Sequence, residues 1–298
     1  MRYIGEIAAL VTSFCFAVAM IFFTLGGQMV GAQVTNRVRL VFAWVYLMVI
    51  SVLLYRQPIP FSASSDRWFW LGLSGVVGLT LGDVFLFQAL ITLGARLGSL
   101  LYSLSPIFSA ALAWIFFREE LSPLQISGIV LSLAGIGWVV MSHRDESNSQ
   151  HGDVRLGIFF GILASLCQAI GLILAKPGLT EGFPPFSAAV IRMMAATIFI
   201  WIWAGLERKA GQTIRSIREK PQASWWLALG ALFGPVLGVS ASLLALQNAE
   251  VGIVSTLSAL PPVIMLPISY FFFKERFGWQ ALAGTALAMA GVAILFLA

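Results

Sequence analysis

The feature that most constrains this chain is a duplication. Ser99–Glu120 reads SLLYSLSPIFSAALAWIFFREE, and Ser255–Arg276 reads STLSALPPVIMLPISYFFFKER. Each is an apolar run with proline near its middle and a charged cluster at its end. At a spacing of 156 residues the register runs without a gap from Leu71–Trp138 onto Leu227–Ile294. It sets Gly78 over Gly234, Gly82 over Gly238, Pro106 over Pro262, Phe116-Phe117-x-Glu119 over Phe272-Phe273-x-Glu275, and Gly128 over Gly284. Upstream, Cys15 falls over Cys167 and Arg39 over Arg192. A repeat of this length is half the chain and not a solenoid unit, so the fold must be assembled from two similar halves.

Composition says what surrounds those halves. The chain is 59% hydrophobic and 10% charged, with a mean hydropathy of +0.91. Soluble domains carry about 25% charged residues, so this surface faces lipid. The net charge of +5 then belongs to loops beside anionic headgroups and not to a nucleic-acid site.

A membrane helix needs about 20 mostly apolar residues. Ten runs qualify: Ile4–Leu25, Thr35–Leu54, Trp68–Ile91, Leu97–Phe117, Pro123–Met141, Leu156–Lys176, Phe186–Leu206, Trp225–Gln247, Ile253–Phe273 and Trp279–Leu297. The first resembles a signal peptide in its basic start, but it is long and aligns with the internal run Gly157–Lys176, so it is read as a retained helix. The expected fold is an all-α integral membrane protein of ten transmembrane helices. Residues 1–141 form one half and 156–298 the other, with 142–155 a polar linker. Five helices per half is an odd number, which places the halves in opposite orientation across the bilayer. Inverted repeats of this kind form transporters with a site near the midplane between them.

The linker carries His143 and His151, and is read as solvated chain in preference to a metal site. The loop Glu207–Ser224 carries five basic residues, and Ile214 and Ile217 suit it to rest on the bilayer surface. Lys and Arg concentrate on the odd-numbered connections, which by the positive-inside rule would place both termini outside.

Candidate site residues are the polar groups set within apolar runs. Pro106 and Pro262 each remove a backbone donor, and such breaks are tolerated where they line a cavity. Ser99, Tyr102, Ser103 and Pro106 share one helical face, as do Ser255, Ser258 and Pro262, giving two polar stripes that would face a common space. Asp83 lies deep in the third run, where a charge costs about 2.5–3.5 kcal/mol. It could carry a coupling proton, contact a cation, or pair with Arg96 or Arg39; its counterpart in the repeat is Val239. Arg39 and Arg192 either snorkel to the headgroups or point inward to hold an anionic substrate group. Lys176, Gln88, Gln168, Gln247 and Asn248 are weaker candidates. Glu119 and Glu275 are expected to cap the next helix or pair locally. Cys15 and Cys167 are read as small packing residues. No enzyme signature, phosphate-binding glycine loop or cofactor motif is present in the sequence.

With these motifs in hand, the chain resembles the drug/metabolite transporter superfamily, and in particular its ten-helix EamA-type members. The resemblance is carried by the five-plus-five duplication, by Phe116-Phe117-Arg118-Glu119 followed by Gly128 to Ala134-Gly135, and by their recurrence in Phe272-Phe273-Lys274-Glu275 and Gly284–Gly291. It implies a cavity lined by both halves, alternating access, a small-molecule substrate among amino acids, other metabolites, sugar phosphates or drugs, and cytoplasmic termini. On this reading the chain is a multi-pass protein of the cell (inner) membrane that exports a small metabolite, with a proton as a candidate coupling ion and no cofactor or nucleic-acid partner. Import or exchange, a non-transporting receptor or scaffold, and a membrane enzyme are the competing readings.

Overall fold

The structure is a computed structural model that describes residues 3–142, 154–261, 263–264 and 278–297. It is helical throughout the described residues. Helix α1 spans Ile4–Val30 and α2 Ala32–Tyr55, joined through Gly31, whose φ of +86° favours a residue without a Cβ. Next come α3 (Ser65–Ser74) and α4 (Gly82–Tyr102), continuous through a π-helical segment at Gly75–Leu81. Then follow α5 (Ser105–Phe117), α6 (Pro123–Ser142), α7 (Val154–Gly178) and α8 (Pro185–Leu206). The chain continues through α9 (Ala210–Glu219) into α10 (Pro221–Ala231) and α11 (Val239–Asn248), joined by a second π-helical segment at Leu232–Gly238. The last described helices are α12 (Val251–Ser258) and α13 (Trp279–Leu297). Among the described residues six stretches are long and apolar enough to cross a membrane: Ile4–Val30, Ala32–Tyr55, Ser65–Ala89, Val154–Gly178, Pro185–Leu206 and Pro221–Asn248. Shorter apolar helices accompany them. Large apolar side chains such as Leu53, Phe116 and Val130 stand out from the bundle, as they must where the solvent is hydrocarbon. The chain is an all-α, multi-pass membrane protein.

Two expectations about helix ends need correction. No break falls between the third and fourth runs, because α4 carries through residues 92–96. The break comes at Ser103–Leu104, one turn before Pro106. Pro106 therefore does not kink the middle of a helix. It sits in the first turn of α5, where the missing N–H would have no intrahelical partner anyway. The second half repeats this. Helix α12 stops at Ser258, the chain breaks at Ala259–Leu260, and helix resumes at Pro261. Leu104 O accepts from the N–H groups of Ile107 (3.0 Å) and Phe108 (3.3 Å); Leu260 O accepts from Val263 (2.9 Å) and Ile264 (3.1 Å). These are the same bonds at the repeat spacing. Pro262 itself lies outside the described residues, as do Lys274, Glu275 and the two histidines.

The helices pack where side chains are small. A Cβ on Gly135 would stand 2.6 Å from Gly284 O and 2.7 Å from Ala288 Cα, and one on Gly128 would stand 3.0 Å from Gly291 O. As α6 advances from Gly128 to Gly135, its neighbour on α13 retreats from Gly291 to Gly284. These repeat-related helices therefore run antiparallel. Helix α7 likewise runs against α3 and α4, with Gly178 on Leu71, Gly171 on Gly78 and Gly161 on Leu101. Helix α1 does the same against α10 and α11, with Gly26 on Leu227 and Gly5 on Ala249. The first helix of each half is thus packed on the third helix of the other. Small residues permit that closeness, and packing takes over the role that the hydrophobic effect plays in water.

Polar contacts at both ends tie the halves together. At one end Glu119 accepts from Lys176 and, through Oε2, from the Val251 N–H at 2.9 Å, so it caps α12 across the interface. At the other end Arg37 donates to Thr213 Oγ1 at 3.0 Å and lies 3.5 Å from Glu207. The Lys209 hydrogen bond holds the Glu207 carboxyl below its ordinary range. Within the same loop, Ile214 on α9 is exposed and Thr213 is buried.

Candidate functional site

Between the halves lies a cavity of about 240 Å³. One water needs about 10–15 Å³ by this measure, so the space holds a metabolite-sized ligand. Its walls follow the duplication. Pairs related by the repeat line it together: Phe16 with Gln168, Met20 with Leu172, Arg39 with Arg192, Leu40 with Met193, Leu79 with Pro235, Asp83 with Val239, Leu86 with Ser242, Tyr102 with Ser258, Ser103 with Ala259, and Ser105 with Pro261. Both helix breaks open onto it, and both π-helical segments contribute to it through Leu79, Gly234 and Pro235. π-Helical segments and broken helices concentrate at functional sites because they re-aim side chains and leave backbone groups without intrahelical partners.

Three charged side chains line the space among the described residues: Arg39, Asp83 and Arg192. Arg39 forms an ion pair with Asp83, with both side chains 13% exposed. Arg39 Nε also donates to Asn36 Oδ1 at 2.9 Å, and its guanidinium lies 5.5 Å from the Phe23 ring centroid. Of the three roles open to Asp83 in sequence, the geometry is that of the arginine partner, and the arginine is Arg39.

Arg192 differs. It is 3% exposed, and its Nε and Nη1 are buried with no hydrogen-bond partner among the described residues. Its position is set by the backbone around it. A Cβ on Gly75 would collide with the Arg192 carbonyl, Thr80 Oγ1 donates to Ala196 O at 3.1 Å, and Thr197 Oγ1 donates to Leu40 O at 3.2 Å. Arg192 Nη2 lies beside Gly78, 3.6 Å from where a Cβ on that glycine would stand, with Gln168 Oε1 3.9 Å from the same point. A residue larger than glycine at 78 would come between α4's π-helical approach and α7, where Gly171 Cα lies 3.3 Å from the same Cβ position.

The sequence-derived candidates divide as follows. Tyr102, Ser103, Ser255, Ser258, Gln168, Arg39, Asp83 and Arg192 line the cavity. Pro106 is buried at the start of α5 but is not part of the lining. Gln88 lies apart, on a smaller cavity of about 60 Å³ with Asn36, Arg37 and Glu207. Gln247 is a tether: its Nε2 donates to Phe183 O at 2.6 Å and Leu179 O at 3.2 Å, so its role is to hold α11 to the loop after α7. Ser99 falls on α4, with its side chain outside the described residues, and Pro262 is outside them altogether. Phe16, Phe23, Ser105 and Ser242 also line the space and went unrecognised. For Phe16 the signal was available, since its register partner Gln168 is a candidate in the sequence; Ser242 lies over Leu86, an apolar residue in an apolar run, and has no such signal. Phe23 offers no signal, being one aromatic in an apolar run.

The bundle and the shared cavity define a multi-helix membrane protein built from two related halves around a ligand-sized space. The model of the EamA-like transporter family matches this chain twice, over residues 3–141 and 155–297. The chain belongs to the EamA-like transporter family. It is 24% identical over 76% of its length, and 71% of the relative's, to an uncharacterised transporter of Synechocystis sp.. It is 23% identical over 76% of its length, and 72% of the relative's, to a protein of Streptantibioticus cattleyicolor named as a probable terminal-alkyne amino-acid exporter. One crystal structure superposes with a TM-score of 0.75 over 100% of this chain and 98% of its own, at 16% identity, which shows a shared fold. The chain is a membrane transporter and not an enzyme.

Proposed function

We propose that this chain exports small metabolites, with amino acids and related compounds as the substrate class, by alternating access through the cavity between its halves. On this reading residues 1–141 and 156–298 are inverted five-helix repeats joined by a linker at 142–155, and the protein lies in the cell (inner) membrane. The observation that carries it is the pairwise lining of one cavity by register-related residues. Antiparallel packing of the equivalent helices α6 and α13 supports the inversion, because a two-fold axis relating antiparallel helices lies across them, in the membrane plane. A pseudo-symmetric pair of halves gives two nearly equivalent closures, one at each end. The Glu119–Lys176 contact and the Arg37–Glu207–Thr213 contacts are the end contacts that would break in turn. The relative named as an amino-acid exporter supports the substrate class.

The test is flux. Purified protein in proteoliposomes is preloaded with single amino acids and related metabolites, and counterflow of labelled compound is followed. Saturable counterflow is expected for at least one substrate, and it should disappear when Ser258→Trp fills the cavity. Absence of counterflow across the whole panel, with a correctly folded protein, would favour a receptor or scaffold instead. Direction is read separately, in cells: overexpression should lower the internal level of the substrate, whereas an importer would raise it.

A further inference from the structure

Within the cavity wall the duplication is broken at one charged position, Asp83 over Val239, and among the described residues Arg192 is left without a counter-ion. Arg39 and Arg192 are register partners, and so are Asp83 and Val239. All four line the same cavity. In the first half the arginine is neutralised by Asp83. In the second half the position that would carry the equivalent carboxylate is a valine. Arg192 Nε and Nη1 accordingly have no partner, and the guanidinium is almost wholly buried.

A buried guanidinium without a partner is costly, and an ionisable side chain kept within a membrane run marks a functional site by default. With Asp83 engaged by Arg39, the described cavity wall carries a surplus of one positive charge. A single carboxylate would neutralise it, and a planar guanidinium presents its donors in the fork that a carboxylate matches. The rest of the wall is largely aromatic and aliphatic, with Phe16, Phe23 and Met20, which suits an apolar body. We propose that Arg192 is the anion seat of the cavity and that the transported molecule is a monocarboxylate with an apolar side group, read by its carboxylate. An amino group on the same molecule is tolerated and is not what the site selects. The inference rests on the cavity being the transport site and names the chemistry of what it takes.

The experiment is ligand-induced thermal stabilisation of purified full-length protein, with matched probes that share an apolar body: phenylalanine, 3-phenylpropionate and phenethylamine, plus leucine and 4-methylpentanoate. The wild type should be stabilised by the carboxylates and not by the amine. Arg192→Gln should weaken carboxylate binding at least tenfold, and Arg192→Lys should retain part of it. Val239→Asp reaches the same end by a different route: it gives Arg192 the partner that the first half already has, so the carboxylate response should vanish with Arg192 intact. Equal response to amine and carboxylate, no response of the wild type to any carboxylate, or undiminished carboxylate affinity in Arg192→Gln would each overturn the proposal. Flux is scored independently. Carboxylate binding that depends on Arg192 without counterflow would sink the transport reading and leave the seat standing. Counterflow of amines without carboxylate binding would do the reverse.

Discussion

Asp83→Asn is the most informative single substitution outside the anion seat. The Arg39–Asp83 pair is set in the bundle with each side chain 13% exposed, and Arg39 keeps one neutral partner, Asn36. Removing one member of a buried pair strands the other, at a cost of about 3–5 kcal/mol. The pair borders the cavity, where water can partly solvate a stranded guanidinium, so the lower end of that range applies. At about 2–4 °C per kcal/mol, the apparent Tm should fall by roughly 10 °C. The second variant, Asp83→Asn combined with Arg39→Gln, removes both charges and should recover most of the loss, since neutral replacement of a buried pair is often close to neutral in stability. The assay is a thermal melt of the two variants and the wild type, paired with counterflow and pH-driven uptake. An Asp83→Asn protein as stable as the wild type would refute the pairing argument. A stable variant that retains exchange but has lost pH-driven uptake would assign Asp83 to proton coupling instead.

Three further outcomes follow from contacts described above. Glu119→Ala removes both the Lys176 pair and the cap on Val251; losing a cap costs about 0.5–2 kcal/mol, and hydrogen exchange at the Val251 amide should quicken while amides in α6 are unchanged. Burial, with Glu119 nearby, raises the Glu250 carboxyl above its ordinary range. Ionisation there opposes folding, so the contribution of Glu250 to stability is lost as pH rises from the ordinary glutamate range through its elevated pKa; Glu250→Gln should flatten that dependence and raise Tm at neutral pH, and an unchanged melt-versus-pH curve would contradict it. Gly135→Val places methyl groups where α13 backbone already stands, and overpacking of about 1–3 kcal/mol should appear as a lowered melt; an unaltered Tm would mean that α6 and α13 do not meet at Gly135.

Much of this was legible in the sequence because a duplication compares the chain with itself. The register that set Tyr102 over Ser258 and Arg39 over Arg192 also predicted two walls of one cavity. Proline was the weak point. An apolar run shows where a helix can be buried, not where it stops, and Pro106 was placed in mid-helix because the break one turn earlier, at Ser103–Leu104, has no composition of its own. The π-helical segments were equally silent: Gly78 and Gly82 lie against α7 at Gly171 and Cys167, but no residue type in Gly75–Leu81 marks a widened turn. Gln247 and Gln88 show the limit of polarity as a guide. An amide in an apolar run must find partners, and Gln247 found the backbone after α7 and not the cavity. The Arg39–Asp83 pair could not be chosen over Arg96–Asp83 because the choice is one of tertiary distance.

The central claim is that one cavity serves both sides of the membrane in turn. It is tested most directly by thiol accessibility at Ser258→Cys, with Cys15 and Cys167, both free and buried, replaced by alanine. A membrane-impermeant thiol reagent is applied to one face of oriented vesicles and then, in a separate sample, to the other. The account predicts labelling from either face, protection by a bound carboxylate substrate, and loss of counterflow once Ser258→Cys is modified. Labelling from one face only, or full counterflow after complete modification, would contradict it.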